Sequence, residues 1–280
     1  MTDKIAYQGE PGANSHIACA DAYAEMTPLP CRTFEDVFHA VESGEAELAM
    51  IPVDNTIAGR VADIHHILPQ TSLSIIAEYY LPIRFQLMAL PGTVLTDVKK
   101  ARSHIMGLGQ CRNFMREHKI EAVTSADTAG AAREVAELGD PSVAAIAPEL
   151  AASVYGLEIL ARDIEDADHN TTRFVIMSRD PGDRQVNEGR AITAFIFQVR
   201  NIPAALYKVM GGFATNSVNM TKLESYQLGG SFTATQFYAE IEGHPDERRV
   251  QLALEELGFF SSMFKIIGVF GAGERRQVER

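Results

Sequence analysis

The chain has 280 residues, 46% hydrophobic and 22% charged, enough apolar material for one large or two ordinary domains. A net charge of -12 argues against a nucleic-acid or anionic-membrane surface, so an anionic ligand needs a local pocket of Arg, backbone N–H groups and helix N-termini. No apolar run reaches the ~18 residues of a membrane span, the N-terminus lacks a signal-peptide form, and three widely spaced cysteines without a CxxC pairing read as reduced thiols, all of which point to the cytoplasm.

Ile5-Ala6-Tyr7 reads as a strand, followed by a glycine turn from Gly9 to Gly12 and a helix from about Ser15. Thr33 with Asp36 forms a capping box, and Phe34, Val37, Phe38 and Val41 then fall on one helix face. A strand over 48–53 ends in the polar elbow Asp54-Asn55-Thr56. Extended stretches at 73–80 and 83–90 lead into a second lobe, about residues 80–160. There helices are predicted near 110–118, 129–138 and 149–154, with a strand at 143–147. A return strand over 173–178 completes a first domain of residues 1–180. Alternating strands and helices imply a mostly parallel sheet, with ligand sites at strand C-terminal ends.

Residues 181–190 are rich in turn formers and read as a linker. Beyond it come strand 191–199, helix 204–215, strand 220–226, a turn at Gly229-Gly230, strand 232–241, helix 247–257 and strand 264–270. That βαββαβ order predicts a ferredoxin-like module over 191–271, with a charged tail at 272–280.

The stretch richest in chemistry is Asn170-Thr171-Thr172-Arg173-Phe174, an amide, two hydroxyls and a guanidinium at the entrance to an apolar strand. Arg offers a rigid fork of donors to a carboxylate, and Thr hands a short donor to a leaving oxygen. Taken alone, the group also fits a strand-entry Thr beside a surface Arg. Asn55 and Ser15 also fit a turn residue and a helix cap.

The Asn170–Phe174 motif resembles the Asn-x-Thr-Arg-Phe signature of prephenate dehydratases. Other blocks resemble the family in the same order: Tyr7 to His16, Phe38 to Gly44, Ile51 to Gly59, Ser103-His104 with Gln110-Cys111, Ala144 to Ala147, and Tyr155-Gly156-Leu157. Asp54 and Thr56 stand where that family usually has Glu and Ser, and Ile105-Met106 where it has Pro-Gln. The C-terminal module resembles a phenylalanine-sensing ACT domain. Ala204-Ala205-Leu206 stands for Gly-Ala-Leu, and Thr221-Lys222-Leu223-Glu224-Ser225 for Thr-Lys-Ile-Glu-Ser, while Tyr226-Gln227 replaces the usual Arg-Pro.

This resemblance implies a two-lobed α/β catalytic domain of the type II periplasmic-binding-protein kind followed by an ACT domain. It implies a cofactor-free and metal-free loss of water and carbon dioxide from prephenate. Thr172 would donate a hydrogen bond or a proton to the departing hydroxyl, and Arg173 would hold a carboxylate or lock the motif. Asn55, Ser103 and Gln110 would position the substrate, with Ser15, Thr56, Asn170, Thr171 and Phe174 in contact with it. L-Phenylalanine would act as effector at Asn201, Ala204, Ala205, Leu206, Asn219, Glu224 and Ser225, at a subunit interface in a homodimer or homotetramer. The rivals are arogenate dehydratase and a non-catalytic small-anion-binding module.

Several other features read as bland. The adjacent His65-His66 pair shares no helix face, Asp166, Asp168 and His169 form a solvated turn, and Gly107-Leu108-Gly109 lacks a third glycine. Cys111 reads as a small buried residue.

Overall fold

The computed structural model describes residues 3–181, 190–227, 234–273 and 275–276. Most of the expected 181–190 linker, the Gly229-Gly230 turn with Phe232 and Thr233, and most of the tail lie outside them. Elements in chain order are β1 (Lys4–Gln8), α1 (Asn14–Ala22), β2 (Thr27–Cys31), α2 (Phe34–Ser43), β3 (Leu48–Asn55) and the short β4 (Gly59–Arg60). Next come β5 (Ser74–Pro82), β6 (Gln86–Ala89), β7 (Lys100–Ser103), α3 (Ile105–Gln110), α4 (Arg112–Glu117) and β8 (Glu121–Thr124). Then follow α5 (Thr128–Leu138), β9 (Val143–Ala147), α6 (Glu149–Tyr155), β10 (Glu158–Ala161) and β11 (Thr171–Ser178). The last are β12 (Ala191–Val199), α7 (Ala205–Thr215), β13 (Met220–Gln227), β14 (Ala234–Glu242), α8 (Arg248–Phe260) and β15 (Ser261–Gly271).

The chain forms two compact units, one of residues 1–61 and 79–174, the other of 62–78 and 175–280. In the first unit, β1 pairs in parallel with β2 and β3, and a second sheet runs β10-β6-β9-β7-β8. β7 is parallel to β8 and β9, while β6 is antiparallel to β9 and β10. The central strands are continuous apolar runs, as strands covered on both faces must be: Val143–Ala147 is buried throughout. Both sides of the predicted capping box form, with Thr33 Oγ1 accepting from Asp36 N and Asp36 Oδ2 from Thr33 N, each at 3.1 Å.

Two close approaches fix the ground around Ser15. Gly12 has φ +89, and a Cβ there would lie 2.8 Å from Ala151 Cα, so only glycine lets the β1–α1 loop lie on α6. Tyr155 on the same helix donates to Pro11 O at 2.9 Å.

In the second unit the βαββαβ module forms as expected, with antiparallel sheet order β13-β14-β12-β15. Phe195, Phe197, Phe237 and Ile241 meet Val209 and Phe213 of α7 and Val250 and Leu257 of α8 in one apolar core. Residues 62–78 join this unit because polar groups tie them to it. Lys265 Nζ donates to Thr71 O at 2.6 Å and Pro69 O at 3.2 Å, and Tyr226 Oη lies 3.0 Å from His65 Nε2. Arg276 pairs with the fully buried Glu78 and Glu240. β15 also pairs in parallel with β5 at Gly268 and Ile75, where a Cβ on Gly268 would meet Ile75 at 2.5 Å.

The structure adds strands that the pattern does not mark. β2, β7, β8 and β10 are four or five residues long, and β2 carries two prolines, which suits its place at a sheet edge. The helix predicted near 110–118 forms as α4 (Arg112–Glu117), and a further short helix, α3 (Ile105–Gln110), precedes it with a break at Cys111. The break is held from a distance: Asp166 accepts from Arg112 N at 3.1 Å and Asn113 N at 3.0 Å and so starts α4. Asp166 is thereby a capping residue.

Candidate active site

The polar elbow at the end of β3 meets the start of β11. Thr56 N donates to Thr171 O, Thr171 N donates to Thr56 Oγ1, and Thr56 Oγ1 donates to His169 O, at 3.0, 3.0 and 2.9 Å. These bonds bring Asn55 beside Asn170 and Thr172.

Asn55 does two jobs with one amide. Its Oδ1 accepts from Ile57 N at 2.9 Å and Ala58 N at 2.7 Å, closing the turn. Because the backbone N–H groups need an oxygen there, the amide orientation is dictated, and Nδ2 faces the other way. Nδ2 then donates to Asn170 Oδ1 at 2.8 Å and Thr172 Oγ1 at 3.0 Å. Asn170, 2% exposed, passes the order on by donating to Gln110 Oε1 at 2.5 Å. Since Gln110 Oε1 is the acceptor, its Nε2 hydrogens have no partner among the described residues.

The consequence for Thr172 is specific. Its oxygen receives a hydrogen bond from Asn55, so its own hydrogen is free to be donated elsewhere. Thr172 is half-buried, at the lip of the strand.

Arg173 follows Thr172 in sequence and therefore points to the opposite face of β11. Its guanidinium is nearly buried and lies 3.4 Å from Asp54 Oδ2. That geometry favours locking the β3 elbow to β11 over gripping a carboxylate beside Thr172. Asp54 is a supporting residue that the sequence marks only as a departure from Glu.

The other predicted positions fall outside this cluster. Ser103 is fully buried at the end of β7 and donates to Ile146 O at 2.6 Å, holding β7 to β9 rather than joining Asn55 and Thr172. Phe174, 1% exposed, packs in the core. Ser15 lies inside α1, whose N-cap is Ala13, because Gly12 and Ala13 turn the chain earlier than the pattern suggests. It lines a cavity of about 510 Å³ with Gly9, Glu10, Asn14, Arg32, Asp127 and Thr128. Asn55 stands at the C-terminal end of β3. The cavity opens at the C-terminal ends of β1 and β8, and β1 runs parallel to β3. Sequence reasoning missed Asp127 and Glu10. The available signal was Asp127 as N-cap of α5, where it accepts from Gly130 N at 2.7 Å.

Burial pushes the Cys111 thiol well above its ordinary value, in keeping with an inert core residue. Among the described residues no group of three or more His, Cys, Asp or Glu side chains has the arrangement of a metal site.

In the second unit, the expected effector residues lie on two elements. Asn201 and Ala204 precede α7, where Ala205 is buried and Leu206 packs against the core. Ala204, where the resemblance has Gly, takes φ +61. On β13, Glu224 accepts from Lys222 at 2.7 Å and from Tyr226 Oη at 3.2 Å. Burial raises its carboxyl pKa, but these partners outweigh that and hold it below the ordinary value. Ser225 pairs with Phe237, and Asn219 is exposed before β13.

A hydroxyl with one hydrogen left to give, held by a chain of amides, offers a donor to an oxygen of a small polar ligand. The chain belongs to the prephenate dehydratase family, carbon–oxygen lyases acting on prephenate, whose family model matches residues 5–182. It is 46% identical to a bifunctional N-acyl-homoserine lactone acylase/prephenate dehydratase of Komagataeibacter europaeus over 98% of this chain and 97% of that protein. It is 33% identical to arogenate dehydratase/prephenate dehydratase 1 of Arabidopsis thaliana, over 95% of this chain and 71% of that one. Among solved structures, prephenate dehydratase of Arthrobacter aurescens in complex with L-Phe superposes with a TM-score of 0.87 at 31% identity, covering 96% and 90% of the two chains.

Proposed function

We propose that the Asn55–Asn170–Thr172–Gln110 cluster is the centre at which prephenate loses its ring hydroxyl and ring carboxylate to give phenylpyruvate, carbon dioxide and water. The C–C bond to the ring carboxylate breaks, its electron pair enters the ring, and the C4–O bond breaks. The departing hydroxide takes a hydrogen bond from Thr172 and, in the end, one proton from the solvent pool, so that prephenate dianion plus a proton gives phenylpyruvate anion, carbon dioxide and water. Threonine is too weak an acid to be the main proton source. Its contribution is a donor placed in advance where negative charge grows. Aromatisation supplies the driving force, so the residues need only hold the ring and stabilise the leaving oxygen.

The observation that carries this reading is the Asn55 Nδ2 to Thr172 Oγ1 bond, which leaves the threonine hydrogen to the substrate. Phenylpyruvate formation from prephenate by the purified chain tests it, and no turnover on prephenate or arogenate would overturn it.

L-Phenylalanine is the effector of the 191–271 module in this reading. Support comes from the Glu224-Ser225 block, and from the similar Arthrobacter aurescens enzyme, described in complex with L-Phe. The module pairs with that of a second copy in a homodimer or homotetramer, for which the exposed Tyr207, Met210 and Phe259 offer apolar surface. Light scattering of the purified chain reads that assembly directly. The catalytic domain spans 1–180, and the chain works in the cytoplasm. No helix among the described residues is long and apolar enough to cross a membrane.

A second activity is favoured by one finding, the nearly full-length match to the Komagataeibacter europaeus protein, whose name includes N-acyl-homoserine lactone acylase. Release of homoserine lactone from an N-acyl-homoserine lactone tests it.

A further inference from the structure

The cavity beside Ser15 has a charge pattern that departure of the ring hydroxyl does not use. On one side Ser15 is nine-tenths buried, lines the cavity, and its hydroxyl has no hydrogen-bond partner among the described residues. The first turn of α1 adds backbone N–H groups, since its N-cap Ala13 has no side chain to satisfy them. Those donors suit a ligand carboxylate.

The same cavity is lined by two carboxylates, Glu10 and Asp127, and by the Arg32 guanidinium, which joins the donors for a ligand carboxylate. Glu10 reaches Arg133 only at 3.6 Å, with both side chains about two-fifths exposed. Asp127 holds Gly130 N through Oδ1, which leaves its other oxygen. Two carboxylates beside a carboxylate-binding turn disfavour a ligand that is anionic throughout. They favour one with a cation next to its carboxylate, because each N–H of an ammonium gives them a charge-assisted hydrogen bond and a keto oxygen gives none.

We propose that this cavity receives the α-carbon end of the substrate, with its carboxylate at Ser15 and the α1 turn. There Glu10 and Asp127 act as specificity-determining residues for an α-amino group over an α-keto group. The chain then turns over arogenate as well as prephenate, and the two carboxylates set the ratio. The proposal rests on the dehydratase reading, since the ring must reach Thr172 while the side chain occupies the cavity. Both regions belong to the first compact unit, where Asn55 ends β3, Thr172 stands at the start of β11 and the cavity opens beyond the end of β1.

The test is kcat/KM on both substrates for wild type, Glu10→Gln and Asp127→Asn. Asparagine caps a helix as aspartate does, and Glu10 is partly exposed, so both variants keep the fold. The arogenate-to-prephenate ratio is expected to fall about tenfold in each, for the loss of one charge-assisted bond. A ratio unchanged in both variants, or a wild type that consumes prephenate and ignores arogenate, overturns the proposal. Calorimetric binding of arogenate and prephenate to wild type and Glu10→Gln separates this from the reaction itself. Selective weakening of arogenate without any turnover would sink the dehydratase reading and leave the cavity assignment standing, whereas equal binding in both proteins would sink the assignment.

Discussion

The Asn55–Thr172 cluster and the Ser15 cavity lie in the same compact unit but handle their polar groups in opposite ways. In the cluster almost every donor and acceptor is committed: Asn55 uses both ends of its amide and Asn170 both of its own, leaving the Thr172 hydrogen and the Gln110 amino group. In the cavity the donors and carboxylates keep much of their hydrogen-bonding capacity open among the described residues. A site that must stabilise one growing charge gains when its donors are already fixed, because a donor in place needs no reorganisation. A site that must recognise a whole functional group gains from groups left open. The contrast separates residues whose loss lowers kcat from residues whose loss raises KM.

The sharpest way to break the contrast is Asn55→Asp. Aspartate still accepts from Ile57 and Ala58 N–H, so the turn survives, yet it cannot donate to Thr172 or Asn170. We expect kcat to fall by about 10²-fold with KM little changed, measured by steady-state phenylpyruvate formation. An unchanged kcat would show that aiming Thr172 does not matter.

Ser15→Ala sharpens the other half. KM should rise by about tenfold while kcat holds, the loss of one hydrogen bond to a bound carboxylate. A fall in kcat with constant KM would move Ser15 to the chemical step.

Away from both sites, Ala204→Gly should raise stability by about 1 kcal/mol, since φ +61 costs alanine more than glycine. A calorimetric rise of about 2–4 °C in Tm is expected, and a fall would mean that the φ is not held in solution.

The smallest effect is a pH dependence at His16, whose Nδ1 accepts from Gly12 N at 3.0 Å and whose pKa burial lowers. The folded chain thus favours the neutral ring, and the unfolded chain binds the proton more readily. Stability is full above the ordinary value of about 6.5 and declines as pH falls below it toward the lowered folded value. Denaturation midpoints between pH 7 and pH 5 should show this, and His16→Gln should reduce the slope.

Much of this was legible in the sequence, and the rest was hidden for identifiable reasons. Strands 143–147 and 191–199 appear where their apolar runs stand, and the Thr33–Asp36 box forms as its spacing demands. The link among Asn55, Gln110, Asn170 and Thr172 followed from motif order, but not the direction of each amide, which depends on the Ile57 and Ala58 N–H groups. The strand period of two could have told Arg173 from Thr172, although the motif reads them as one unit. The break at Cys111 depends on Asp166, more than fifty residues away, and no local pattern contains it. Nor does any pattern bring Glu10 and Asp127 to one cavity, since that depends on how two sheets carry their strand ends.

The central claim is that Thr172 gives its free hydrogen to the departing hydroxyl. Thr172→Ala and Thr172→Ser, assayed together on prephenate with folding checked by circular dichroism, test it most directly. Alanine is expected to lose about 10²- to 10³-fold in kcat, and serine, which keeps the hydroxyl, to recover most of it. Equal kcat values for alanine and wild type, or equal losses in alanine and serine, would contradict it.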